Sequence, residues 1–125
     1  MKIVEYNFSE HGESLMNFFK NSCITSFAHS WFRYLPNRRF LEHMINPYVS
    51  EQLEKCRIYM LYLDEEGDVV GWMACKEEKI FYMYVKYDYR GNGFCRMLKE
   101  YEFGSKNVLV EMGTRSMPKF LIYIK

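Results

Sequence analysis

The sequence predicts a mixed α/β fold whose central sheet is mostly antiparallel. Three observations lead there. Apolar residues recur at helical spacing between residues 9 and 55. The period changes at Arg57 to that of strands and holds through three successive segments. A glycine turn at 90–93 then joins the last of these strands to a further helix and strand. A chain of 125 residues suits one core and is short for two, so a single domain over 1–125 is expected.

Residues 2–7 alternate Ile3, Glu5 and Asn7 with Val4 and Tyr6, and predict a short first strand. Ser9 is suited to cap a helix starting near Glu10, because its hydroxyl accepts from an otherwise unpaired first-turn amide. Leu15, Phe18 and Phe19 share one face of that helix, and Ser22 and Cys23 extend it. Residues 26–35 are rich in Phe, Trp and His, and Pro36 with Asn37 breaks the run. Asn37 is placed to cap a further helix striped by Phe40, Leu41, Met44 and Ile45. Pro47 is expected to interrupt it, leaving a last turn or two over 49–55.

Residues 57–63, 69–75 and 79–86 predict three strands rich in β-branched and aromatic side chains. Asp64-Glu65-Glu66-Gly67-Asp68 is a hairpin turn with Gly67 free to take positive φ, and Gly71 interrupts the second strand. Glu77 and Glu78 turn the chain into the third, so the three form an antiparallel meander. Phe94, Met97, Leu98 and Tyr101 then recur at helical spacing, Gly104 and Ser105 end the helix, and residues 107–111 form another strand. Strand, turn, helix, strand is a βαβ unit, so its two strands should be parallel.

Composition removes several classes of function. Seventeen Lys and Arg against sixteen Asp and Glu give a net charge of +1, without the basic excess that general nucleic-acid binding needs. The longest apolar runs, 58–63 and 80–85, are six residues each, against the roughly 20 that cross a bilayer. The first residues have neither the apolar core nor the cleavage site of a signal peptide, so a cytoplasmic protein is expected. Cys23, Cys56, Cys75 and Cys95 form no CxxC pair and do not cluster with His11, His29 or His43; reduced, mostly buried thiols and no metal site follow.

Arg90-Gly91-Asn92-Gly93 carries the chemistry. A helix N-terminus presents unpaired amides and a partial positive charge. Glycines let the backbone turn sharply there and clear side chains from an approaching ligand, so the turn is suited to phosphate oxygens, with Arg90 as a fixed cation. Residues 91–96 lack the third glycine of a dinucleotide fingerprint, and no Gly-Lys-Ser/Thr follows. Two glycines alone are equally compatible with a plain tight turn.

Residues 83–98, MYVKYDYRGNGFCRML, resemble the acetyl-CoA-binding motif of the GNAT-type N-acetyltransferases, in which a strand ending in Val leads to Arg/Gln-x-x-Gly-x-Gly/Ala and a helix with an early Leu. Val85, Arg90, Gly93 and Leu98 match; Cys95 replaces the final small residue, and Tyr87 stands where Pro is common. The hairpin at 64–71 is similar to the family's second and third strands, and the element order agrees from residue 1 to about 111.

The resemblance implies a GNAT-like sheet flanked by helices and shortened at the C-terminus. It implies acetyl-CoA as acyl donor, with the pyrophosphate held by amides around Gly91, Asn92, Gly93, Cys95 and Arg96 beside Arg90, and the pantetheine arm along the backbone of Tyr84 and Val85. An amide on that strand edge would polarise the thioester carbonyl. The implied reaction is direct transfer of the acetyl group to a primary amine, of a protein or a small molecule. A protonated amine must first lose a proton to a base, often through water. By family spacing Glu111 is the candidate base and Tyr123 the candidate acid, with Ser116 departing from the usual Asn between them. Glu78 is the reserve base. Each also has a plain reading: Glu111 as a solvated strand-end carboxylate, Tyr123 as a packing aromatic.

Two alternatives stay open. Residues 119–125 have strand composition, yet Ser116 is able to cap a helix. In a helix Tyr123 reaches the cosubstrate; in a strand paired with 107–111 it loses the acid role. An unpaired sheet edge would favour a homodimer. The opposing function is a catalytically inactive module of the same fold that binds CoA or a protein partner, the latter through an aromatic surface of Phe27, Trp31, Phe32 and Tyr34.

Overall fold

The computed structural model describes residues 1–30, 38–63, 67–110 and 122–123. The chain divides into two compact units: among the described residues, one comprises Met1–Tyr6 and those from Cys56 onward, the other Asn7–Lys55.

The second unit is helical: α1 (Phe8–His11), α2 (Glu13–Ser30) and α3 (Arg38–Lys55). Asn7, not Ser9, caps α1, its side-chain oxygen accepting from the Ser9 amide at 2.9 Å. Gly12, at φ 84°, ends α1 and separates it from α2, so the single helix expected from near Glu10 is two. Met16, Phe19 and Cys23 are buried along α2 at helical spacing. Contrary to expectation, α3 runs unbroken through Pro47. Proline costs a helix interior about 3 kcal/mol. Val49 and Leu53, both fully buried, continue the apolar stripe beyond it, and their burial offsets the lost backbone bond. Asn37 lies outside the described residues.

The other unit is a six-stranded sheet in the order β1-β2-β3-β4-β5-β6, covered on one face by α4. The strands are β1 (Lys2–Glu5), β2 (Arg57–Tyr62), β3 (Val69–Lys76), β4 (Lys79–Val85), β5 (Leu109–Val110) and β6 (Ile122–Tyr123); α4 spans Phe94–Phe103. β1 to β4 pair antiparallel, and β5 joins β4 in parallel across α4. The fold is therefore mixed α/β with a mostly antiparallel sheet, as the sequence predicts. β6 settles the tail alternative: Ile122 and Tyr123 are in a strand, parallel to β5 in the register Leu109↔Ile122 and Val110↔Tyr123.

The core beneath α4 follows from the strand period. Tyr59 and Leu61 of β2, Met73 and Cys75 of β3, Ile80 and Met83 of β4 and Val110 of β5 face Leu98 and Phe103 of the helix. In β4 the alternation shifts by one residue, because Tyr82 pairs with Ala74 while Ile80 pairs with Cys75. Phe81 is the extra residue of a β-bulge. Gly71 answers a close approach: a Cβ there would lie 3.0 Å from the Tyr84 carbonyl oxygen and 3.2 Å from Val85 Cγ2.

Candidate anion-binding turn

β4 ends at Val85, and a 3-10 turn (Tyr87–Tyr89) carries the chain to Arg90. Gly91 (φ 82°) and Gly93 (φ 79°) then take left-handed conformations that place the start of α4. A residue with a Cβ pays strain at each, and glycine does not. Neither glycine would bring a Cβ within 4 Å of any other group, so the space before the turn is open.

The backbone leaves the amides of this turn unused. The first bond of α4 runs from the Met97 amide to the Gly93 carbonyl at 3.0 Å. Among the described residues none accepts from the amides of Gly91, Asn92, Gly93, Phe94 or Cys95. Helix geometry alone orphans the first amides; the two left-handed glycines lengthen the series to five consecutive N–H groups. Gly93 is the N-cap of α4 and, as a glycine, offers no side chain to those amides.

Arg90 is exposed but not loose. Its Nε donates to the Val85 carbonyl at 2.8 Å, and its guanidinium lies 5.8 Å from the ring centres of both Tyr84 and Tyr87. One side chain thus holds the end of β4 to the turn and keeps a positive charge beside the unbonded amides. The Val85 oxygen is taken up by this bond. Asn92 Nδ2 donates to the Tyr89 carbonyl at 3.2 Å, which steadies the loop from the other side.

Cys95 contributes its amide only. Its side chain packs against the core cluster under α4, not toward the open side of the turn where a small residue facing CoA is expected. Burial pushes its thiol up to about 11, against a smaller opposing pull from Arg90. A thiol so placed is a poor nucleophile at neutral pH. Arg96 is exposed on the first turn of α4.

Two groups at the far end of α4 carry no signal in the sequence. Lys99 is buried, with its ammonium donating to the Gly104 carbonyl at 2.9 Å. That places a cation at the negative end of the helix dipole. Glu102 accepts from Arg57 Nη2 at 2.9 Å and from the Tyr59 hydroxyl at 2.6 Å. Burial first, and the bond to Glu102 second, raise the Tyr59 phenol to about 12. Lys99 finds its partner five residues along the chain, whereas Glu102 meets Arg57 only because the fold closes the 45 residues between them.

The paired part of β4 and β5 is short. Lys79 faces Leu109 and Ile80 faces Val110, and among the described residues the pairing stops there. Glu111 follows directly but lies outside the described residues. For Tyr123 only the backbone is described, in β6. A strand position is the circumstance under which the sequence reading itself withdraws the acid role, so that assignment is not carried forward. Glu78 is an exposed turn carboxylate 4.0 Å from Lys106. His43 is exposed, and Trp31, Phe32, Tyr34 and the side chains of Phe27 and His29 lie outside the described residues. Cys23 and Cys75 are buried, Cys56 and Cys95 half-buried, and no disulfide joins them. Among the described residues no group of three His, Cys, Asp or Glu is placed to hold a metal, and no helix is long and apolar enough to cross a membrane.

No family model matches the chain, and no curated protein matches it significantly. Among solved structures the chain is similar to a ribosomal-protein-alanine N-acetyltransferase from Brucella melitensis biovar Abortus 2308, at 13% identity and a TM-score of 0.44, over 93% of this chain and 83% of that one. It is also similar to an aminoglycoside acetyltransferase from an uncultured soil metagenomic sample, at 15% identity and a TM-score of 0.42, over 92% of this chain and 81% of that one.

Proposed function

We propose that this chain is an acetyl-CoA-dependent N-acetyltransferase of the GNAT type, transferring an acetyl group to a primary amine. One observation carries the reading: five consecutive amides, from Gly91 to Cys95, without an acceptor among the described residues, open at the start of α4 beside the charge of Arg90. A diphosphate is the ligand whose oxygens match that many donors in a row. The turn fits it, because a Cβ at either Gly91 or Gly93 would meet only open space, and a ligand is able to approach the backbone closely. The motif over 83–98 points to CoA among the diphosphates.

In this reading the amides from Gly91 to Cys95 hold the pyrophosphate and Arg90 supplies charge to it. On the same reading the pantetheine arm lies along the β4 backbone beyond the bulge at Phe81, past Ile80, where β4–β5 pairing stops among the described residues. Acetyl-CoA supplies an activated acyl group. The chain must supply proton removal from the attacking amine, and Glu111 is the proposed base. No acid is assigned.

A second reading takes its support from the strand position of Tyr123 in β6, with no acid assigned: a module that binds CoA without turnover. Thermal melting with and without acetyl-CoA tests both. At 100 times its dissociation constant a ligand contributes about 2.7 kcal/mol, which raises the melting temperature by several degrees. No shift at millimolar acetyl-CoA removes both readings. Given a shift, release of CoA thiol in the presence of an amine panel separates enzyme from module, and full turnover by a Glu111→Gln variant would remove the base assignment.

A further inference from the structure

The anion-binding turn stands on one end of α4, and the other end is held by a polar clamp that spans three elements. Arg57, the first residue of β2, donates through Nη2 to Glu102 Oε1 at 2.9 Å and to the Glu77 carbonyl at 2.8 Å. Tyr59, two residues along β2, donates to the other oxygen of Glu102 at 2.6 Å. Its ring meets Tyr101 edge-on, with centres 5.5 Å apart. Glu77 is the turn residue between β3 and β4, and it holds a left-handed backbone (φ 57°) without being glycine. The clamp therefore fixes the last turn of α4 to the start of β2 and to a strained turn leading into β4.

Apolar packing does not do the same work. Leu98 and Phe103 bury α4 on the sheet, but a greasy stripe tolerates small sliding and rotation about the helix axis. Two directional bonds to the two oxygens of one carboxylate do not. A helix is stiff over ten residues, and Glu102 lies about 13 Å along the axis from Gly93. A rotation set at Glu102 is thus delivered to the amides of Phe94 and Cys95. The clamp also has a cost, since Arg57 Nε is buried with no hydrogen-bond partner among the described residues.

We infer that Glu102, held by Arg57 and Tyr59, is a positioning residue that sets the anion-binding amides at the opposite end of α4. The inference rests on the proposed role of that turn. Its test is acetyl-CoA affinity, measured by titration calorimetry on folded protein, for the parent chain and for Glu102→Ala, Glu102→Gln and Tyr59→Phe. Coupling through such a network moves affinity from about twofold upward. Glu102→Ala is expected to weaken acetyl-CoA roughly tenfold, and Tyr59→Phe about threefold. Glu102→Gln, with the same length and an oxygen for Arg57, should stay within about twofold of the parent. A role in stability alone would lower melting temperatures and leave the affinity of the folded molecules unchanged. Folded Glu102→Ala with parental affinity overturns the inference. So does parental affinity in Tyr59→Phe, which keeps its ring and serves as the deciding variant should Glu102→Ala fail to fold. If the parent chain itself binds no acetyl-CoA, the reading of the turn fails by itself. The clamp is then judged without ligand, by the amide resonances of Gly93, Phe94 and Cys95: they move in Tyr59→Phe if the clamp sets them, and unmoved resonances overturn it.

Discussion

Replacing Gly93 by alanine separates the cost of a backbone from the cost of a lost ligand. Gly93 sits at φ 79° and ψ 12°, the left-handed helical region. An L-residue there loses roughly 1–2 kcal/mol. The added methyl meets no other group within 4 Å, so there is no packing penalty to add. Stability should therefore fall by about 1–2 kcal/mol and no further. Affinity should fall by more. A methyl at Gly93 takes up open space through which a ligand approaches the turn, and a phosphate oxygen pushed away loses charge-assisted bonds worth about 1.5–3 kcal/mol each. One such bond corresponds to about a tenfold to hundredfold weaker acetyl-CoA complex. Gly12 provides the control. At φ 84° and ψ 173° it occupies a region that is essentially glycine's own, a Cβ there also meets open space, and it lies at the end of α1. Gly12→Ala should cost at least as much stability and leave acetyl-CoA binding untouched. Urea denaturation and titration calorimetry on the two variants give both quantities. Equal affinities for Gly93→Ala and the parent would refute the assignment of the turn as the diphosphate site.

Two further outcomes follow from packing and burial. Gly71→Ala puts a methyl 3.0 Å from the Tyr84 carbonyl oxygen, where β3 and β4 cannot separate without breaking their ladder; a loss of about 1–3 kcal/mol is expected in urea denaturation. Alkaline stability should fall early, because burial raises the thiols of Cys75 and Cys95 above the ordinary 9.0, the latter to about 11. A group that keeps its proton longer when folded contributes stability in full below its unfolded pKa and loses it as pH rises toward the folded one. Each thiol then takes away up to about 1.4 kcal/mol per pH unit above pH 9, with Tyr59 joining above pH 10. Cys75→Ala should flatten that decline, and an unchanged slope between pH 9 and 10.5 would show that Cys75 is not the source.

What the sequence made legible is what short range decides. The meander from Arg57 to Val85 is visible because each strand carries its own apolar pattern and each turn its own acidic or glycine signal. The parallel pairing of β5 with β4 is dictated by the helix between them. Misreadings came where two local signals competed. Asn7 and Ser9 are both good caps; Gly12, by ending α1 after four residues, gives the cap to Asn7. Pro47 forbids one backbone bond, and the burial of Val49 and Leu53 outweighs it. The tail offered a capping serine against strand composition, and partnership with β5, a long-range fact, decided for the strand at Ile122 and Tyr123.

The candidate site divides along the same line, and the division bears on what evolution or design could alter. Donors at Gly91 to Cys95 belong to the backbone, so their presence depends on two glycines and a helix start, all local and all readable. Their direction depends on how α4 lies on the sheet, and that is set by residues 45 positions apart, Arg57 and Glu102. Changes in the turn should therefore block donors and cost about tenfold to hundredfold in affinity, whereas changes in the clamp should shift their aim and cost about threefold to tenfold. A chain that kept its glycines but lost Glu102 would still display the motif and hold its ligand less well. The motif thus reports which donors the turn offers and not how they are aimed.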